Sequence, residues 1–246
     1  MQTAPELAQP MRFNEFRQMA LVSMEEICRE IFNENQASIK TKKEAVAIRN
    51  LTNIFNTTLK LSNEKGFHTM SLRDLSRASG LSMGALYSYF TSKEELLEMI
   101  QNQGRRLTQR ILNQQIGQKC TLEFTLPMKL RTGIRTHLYL TEVMQPWFYF
   151  AFMEAKNLDK AQQKKSIEGE LASEQIFVEI LNEGMAQGLF DMAQPVLTAT
   201  VIKAMMQDWY VKRWKYNRRR ISVDEYADFV IFVVESIVKP DNPSGT

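Results

Sequence analysis

Ser71-Leu-Arg-Asp-Leu-Ser-Arg-Ala-Ser-Gly-Leu-Ser-Met-Gly-Ala-Leu-Tyr-Ser-Tyr-Phe90 holds two helix starts and one sharp stop. Ser71 and Asp74 form a Ser-x-x-acid capping box, so a helix begins at Leu72. Gly80 ends it after about two turns. Ser82 caps a second helix, which the spacing carries through Phe90. Two short helices around a tight glycine turn fold as a right-angled pair. Leu75, Ala78, Leu81, Leu86 and Phe90 then lie between them. The outer face of the second helix is Ser82, Met83, Gly84, Ala85, Tyr87, Ser88 and Tyr89. It is short, polar and aromatic, and it carries no acid. Such a face fits the major groove of duplex DNA, and its capped N-terminus suits nearby phosphates.

The pattern on either side is helical throughout, and hairpin dipeptides are absent. Apolar residues from Met11 to Asn35 (Phe13, Phe16, Ala20, Met24, Ile27, Cys28, Ile31, Phe32) form one stripe at helical spacing. Glu44 to Lys65 repeats it and stops at Gly66. Ser92-Lys-Glu-Glu95 is a second capping box, opening a longer helix that ends near Gly117. Further helices are expected near 126–141, 146–158, 167–187, 195–217 and 222–238. The link near 117–125 is the best domain boundary. The expected fold is all-α. Its parts are a helical extension (1–40), a unit built around the capped helix pair (41–100) and a further helical region (101–246).

The 246 residues carry a net charge of only +3, but the charge is unevenly placed. Thr41 to Lys93 has eight Lys or Arg against three acids, whereas residues 1–40 are net acidic. A local basic excess is the footprint of a nucleic-acid-binding module, although a solvated basic face gives the same count. No apolar run approaches the roughly 20 residues of a membrane span, and no secretory signal opens the chain. Cys28 and Cys120 are far apart, which suits a reducing cytoplasm.

Lys65-Gly66-Phe67, the stretch from Ser71 to Phe90 and Ser92-Lys-Glu-Glu-Leu-Leu97 together resemble the DNA-binding domain of the Tet repressor (TetR) family. The match runs over residues 44–100 in order and spacing. The resemblance implies a homodimeric transcriptional regulator that binds a double-stranded DNA operator, with a variable C-terminal ligand domain. Carried over by position, Arg73, Met83, Gly84, Ala85, Ser88 and Tyr89 face bases or the groove. Ser71, Ser82, Tyr87 and Lys93 hold phosphates. The family's usual behaviour is a repressor released by its ligand. The extension of about 40 residues departs from the family's short arm.

The C-terminal half is less explicit. Pro146 to Met153 is an aromatic block on a helix. Met144, Trp147, Phe148, Phe150, Phe152 and Met153 are the candidate lining of a pocket for a small hydrophobic effector, or else ordinary core. The last two helices carry Val201, Met205, Trp209, Phe229, Val233 and Ile237, enough for a four-helix dimer interface. The basic run from Lys212 to Arg220 is either a solvated turn or a site for phosphates. An acyl-CoA or a fatty acid is therefore one candidate effector among other hydrophobic compounds. His68 and His137 are isolated, with no metal-ligand spacing, and no nucleophile elbow, P-loop or dinucleotide glycine pattern occurs. The expectation is a regulator rather than an enzyme, without metal or cofactor. The competing reading is a helical interaction protein or a small-molecule sensor without operator binding of its own.

Overall fold

The computed structural model describes residues 11–19, 23–117 and 125–239. The segment 118–124, where the sequence places the domain link, lies outside the described residues. Among the described residues there are twelve α-helices, one 3-10 turn and no strand. They are α1 (Phe13–Met19), α2 (Met24–Glu34), α3 (Glu44–Lys65), α4 (Leu72–Ser79), α5 (Met83–Leu86) and α6 (Lys93–Gly117). After them come α7 (Leu126–Val143), α8 (Gln145–Glu154) with the turn Ala155–Asn157, and α9 (Lys160–Ala186). The chain ends with α10 (Pro195–Val211), α11 (Arg213–Arg219) and α12 (Val223–Val238).

α3 is the platform of the N-terminal unit. It buries Ala47, Ile48, Leu51, Ile54, Phe55 and Leu59 along one face, the spacing that aligns side chains every third or fourth residue. α7 is the axis of the C-terminal bundle. Every residue from Gly133 to Thr141 is buried, because α1, α6, α9, α10 and α12 all pack around it. A helix apolar on most sides is stable only when so enclosed.

The structure corrects the expected helices at four places. The stripe from Met11 to Asn35 is two helices rather than one. α2 starts afresh at a capping box in which Ser23 accepts from the Glu26 backbone amide. The second helix of the DNA-reading pair is α-helical only over Met83–Leu86, followed by turns through Tyr89. The helix expected at 167 begins at Lys160, where the Asp159 carboxylate caps the Gln162 amide at 2.8 Å. The span 195–217 breaks at Lys212, between α10 and α11.

The N-terminal extension works as a strap. Phe13 and Phe16 of α1 lie against Tyr139 of α7, each ring pair 5.7 Å apart. Arg12 pairs with Asp228 at 2.8 Å, and the Phe13 amide donates to Asp224 at 3.1 Å, both on α12. Burial, then the bond to Asp224, pushes the Tyr139 phenol well above its ordinary range. α2 packs on α3 and reaches α6, where Glu30 accepts from Gln103 at 2.7 Å and Arg110 at 2.5 Å. The strap thus touches both the DNA-reading unit and the bundle. Phe16 is fully buried. Truncating a buried aromatic ring removes its transfer energy and leaves a void, so Phe16→Ala is expected to cost about 3–5 kcal/mol. Urea unfolding followed by circular dichroism checks this; an unchanged midpoint would show that the strap contributes no stability.

Candidate nucleic-acid interface and internal cavity

The short helices of the reading unit are held by side chains on all sides. Ser71 accepts from the Asp74 amide at 3.1 Å, and Asp74 accepts from the Ser71 amide at 3.0 Å. The Ser71 backbone bond, reinforced by Lys65 at 2.9 Å, holds the Asp74 carboxyl far below its usual range. Gly80 turns the chain at φ +71°, the left-handed region that favours glycine. Asn53 of α3 donates to the Ser79 carbonyl at 2.7 Å, and Ser76 donates to the Leu81 carbonyl at 2.6 Å. Ser82 then caps α5 through the Ala85 amide at 3.2 Å. The Lys40 amide donates to the Ser88 carbonyl at 2.9 Å, so the segment before α3 fixes the far end of the unit.

Ser71, Arg73, Ser82, Gly84 and Tyr87 are exposed, and Met83, Ala85, Ser88 and Lys93 are half-buried. These nine candidates lie on the reading unit and the first turn of α6. Leu86 and Phe90 are buried, as their spacing requires. Tyr89 departs from the groove-facing role implied for it. Its ring is buried and its hydroxyl accepts from Asn50 at 2.9 Å, so it fastens the end of the unit to α3. Lys93 donates to the His68 carbonyl at 3.0 Å with its ammonium 4.6 Å above the Phe67 ring. This aims it from the start of α6, where burial lowers its pKa.

Behind the unit, α6 to α10 line a cavity of about 240 Å³ that is partly open to solvent. Trp147, Phe148 and Phe152 line it, as the aromatic block suggested. Three other expected lining residues stand elsewhere. Phe150 is buried against Phe67 of the N-terminal unit, with rings 5.6 Å apart. Met153 is on the exposed side of α8, and Met144 faces a separate groove of about 560 Å³ beside α2 and α3. A helix turns 100° per residue, so one aromatic block cannot face one way. Sequence reasoning did not find the polar wall: Arg105 and Thr108 of α6, His137 of α7, Glu170 and Ser173 of α9, and Lys203 of α10. These belong to four helices, and no local spacing links them.

Half of the basic run that starts at the end of α10 is neutralised. Both oxygens of Glu142 accept from Arg213 at 2.8 Å. Asp208 takes Lys212 at 2.7 Å and Lys215 at 2.5 Å, and also the Tyr216 hydroxyl. Arg218, Arg219 and Arg220 remain exposed in the turn to α12.

His137 is buried, and among the described residues its Nδ1 has no hydrogen-bond partner. Desolvation, then the charge of Lys203, lowers its pKa well below the ordinary value. The folded state therefore keeps this imidazole neutral while the unfolded chain takes up a proton below about pH 6.5. Its contribution to stability is present at neutral pH and is lost as pH falls through the unfolded-state pKa. Urea unfolding at pH 7 and pH 5 is expected to show a smaller loss for His137→Gln than for the parent; equal losses would contradict this.

Comparison with known proteins agrees with this architecture. The family described as "Bacterial regulatory proteins, tetR family" matches residues 54–100. The one described as "Tetracyclin repressor-like, C-terminal domain" matches residues 127–235. The uncharacterized HTH-type transcriptional regulator YfiR of Bacillus subtilis is 22% identical over 208 residues, which span 82% of this chain and 95% of YfiR. The ketosteroid transcriptional regulator KstR2 of Mycobacterium tuberculosis has a TM-score of 0.68 at 15% identity, covering 83% of this chain and 99% of that one. FadR of Bacillus subtilis, solved in complex with stearoyl-CoA, has a TM-score of 0.59 at 19% identity, covering 74% and 96%. No helix among the described residues is long and apolar enough to cross a membrane. With both halves matched in order, the chain belongs to the TetR family of DNA-binding regulators, with a helix-turn-helix at its N-terminal end and a ligand-binding helical domain behind it.

Proposed function

We propose that this protein is a homodimeric repressor that binds a specific DNA operator and lets go when a small hydrophobic effector enters the cavity between α6 and α10. The observation that carries this reading is the joint between the two sites. Trp147 lines the cavity and also meets Phe55 of α3 edge to face at 5.9 Å. A ligand shifts operator affinity only through different affinity for two arrangements of the dimer. A side chain shared by cavity and DNA-reading unit is a route for that difference. FadR's complex with stearoyl-CoA is the precedent for a hydrophobic effector in such a domain.

The division into extension (1–40), DNA-reading unit (41–100) and ligand and dimer domain (101–246) goes with this reading. Ser71, Ser82, Tyr87 and Lys93 take the phosphate contacts, and Arg73, Met83, Gly84, Ala85 and Ser88 take the groove. Their support is their exposure or part-exposure on a unit whose α5 face carries no acid. The dimer face is the outer side of α10 and α12. There Leu197, Val201, Phe229, Phe232 and Ile237 are exposed, whereas Trp209 is buried within the protomer. An apolar patch of this kind on paired helices is covered by its own copy across a two-fold axis.

Mobility shift with the DNA upstream of the protein's own gene tests the reading; no shift at low salt would leave a helical interaction protein. Two further outcomes are expected. Operator affinity falls roughly a thousandfold between 50 and 200 mM salt, because several phosphate contacts release counterions. Lys93→Ala weakens binding to operator and random DNA alike. Arg73→Ala also loses about 1–3 kcal/mol of discrimination at one base pair. Fluorescence anisotropy on both duplexes measures this, and matching profiles for the two variants would refute the assignment of roles.

A further inference from the structure

The polar wall of the cavity has a composition that a purely hydrophobic effector does not use. Lys203 is nine-tenths buried, yet among the described residues its ammonium has two polar partners, Ser173 at 2.8 Å and Glu170 at 3.4 Å. Glu170 is more than half exposed and is the only acid in the wall, against Arg105 and Lys203. The His137 ring stands in the same wall with Nδ1 unpaired. A buried ammonium is costly unless paired and fully hydrogen-bonded. Here the pairing acid is half in water, and a neighbouring imidazole is left unsatisfied. Trp147, Phe148, Phe152 and Tyr210 supply the aromatic part of the wall, and the amides of Gln101, Gln109 and Gln207 also line it.

We infer that this cavity is a receptor site for a compact monocarboxylic acid with an apolar body. The inference rests on the effector reading above and names the chemistry of that effector. The carboxylate seats on Lys203 beside Ser173, displaces Glu170 toward solvent and comes within reach of His137. The apolar body lies among Trp147, Phe148 and Tyr210. The cavity is small, about 240 Å³, and partly open to solvent, which suits an aromatic or medium-chain acid. Close contacts keep the volume small. A Cβ on Gly104 would stand 2.6 Å from Trp147 Nε1, and one on Gly169 would stand 2.4 Å from Arg105 Cδ.

The test is isothermal titration of the full-length protein with phenylacetate, octanoate, their methyl esters and stearoyl-CoA. One acid molecule is expected to bind per protomer, with each ester at least tenfold weaker. Lys203→Met is expected to abolish the preference for acid over ester. Glu170→Gln, at a half-exposed position that tolerates the change, is expected to tighten acid binding by removing the competing carboxylate. Equal affinity for acid and ester, acid binding unchanged in Lys203→Met, or binding of stearoyl-CoA alone would each overturn the inference. Mobility shift without any acid is run in parallel. Acid binding that depends on Lys203, with no DNA binding, would leave this site standing and remove the repressor reading. DNA binding without acid binding would remove this inference alone.

Discussion

The placement of Trp147 is the constraint on which the rest of the molecule depends. Its indole donates to the Ile100 carbonyl at 3.1 Å and is almost fully buried. It can sit there only because residue 104 has no side chain, since a Cβ at that point would overlap the ring. One ring thereby joins α8, α6 and α3. Glu154 at the other end of α8 accepts from the Phe67 amide at 3.3 Å, so the whole helix lies along the junction between the DNA-reading unit and the bundle. Protein interiors pack too densely for such a ring to move alone. Displacement of α8 is therefore displacement of α3 or α6.

The strap adds a second connection between the same two bodies. Residues 1–40 were legible as amphipathic helix and as net acidic, which argued for packing on protein rather than on DNA. The break between α1 and α2 was also written in the sequence, as Ser23-x-x-Glu26, but the apolar stripe runs across it and concealed it. The interruption at Lys212 was not legible in that way. There Asp208 gathers two lysines and a tyrosine from the next eight residues, and that convergence appears only once the chain is folded.

The DNA-reading unit was the most legible part because its signals are local. Capping boxes and a positive-φ glycine act within four residues, so sequence spacing and spatial spacing coincide. Tyr89 shows where this ends. On the sequence it continues the face of Tyr87 and Ser88, but α5 stops at Leu86 and the turn swings Tyr89 inward to Asn50. The cavity was legible only in its aromatic half. Lys203, His137 and Glu170 sit on three different helices, and nothing in the order of residues brings them together.

The pairing of Arg12 with Asp228 joins residues 216 positions apart. The intervening chain is thus a single closed loop, with the first described helix laid against the last. A contact of that separation carries a large closure entropy and forms only after the intervening chain has condensed. During synthesis α1 precedes both of its docking surfaces: Phe13 and Phe16 wait for Tyr139 of α7, and Arg12 waits for Asp228 of α12. A partly made chain therefore keeps Phe13 and Phe16 uncovered until α7 is made, and the strap gains its polar anchor only when α12 follows.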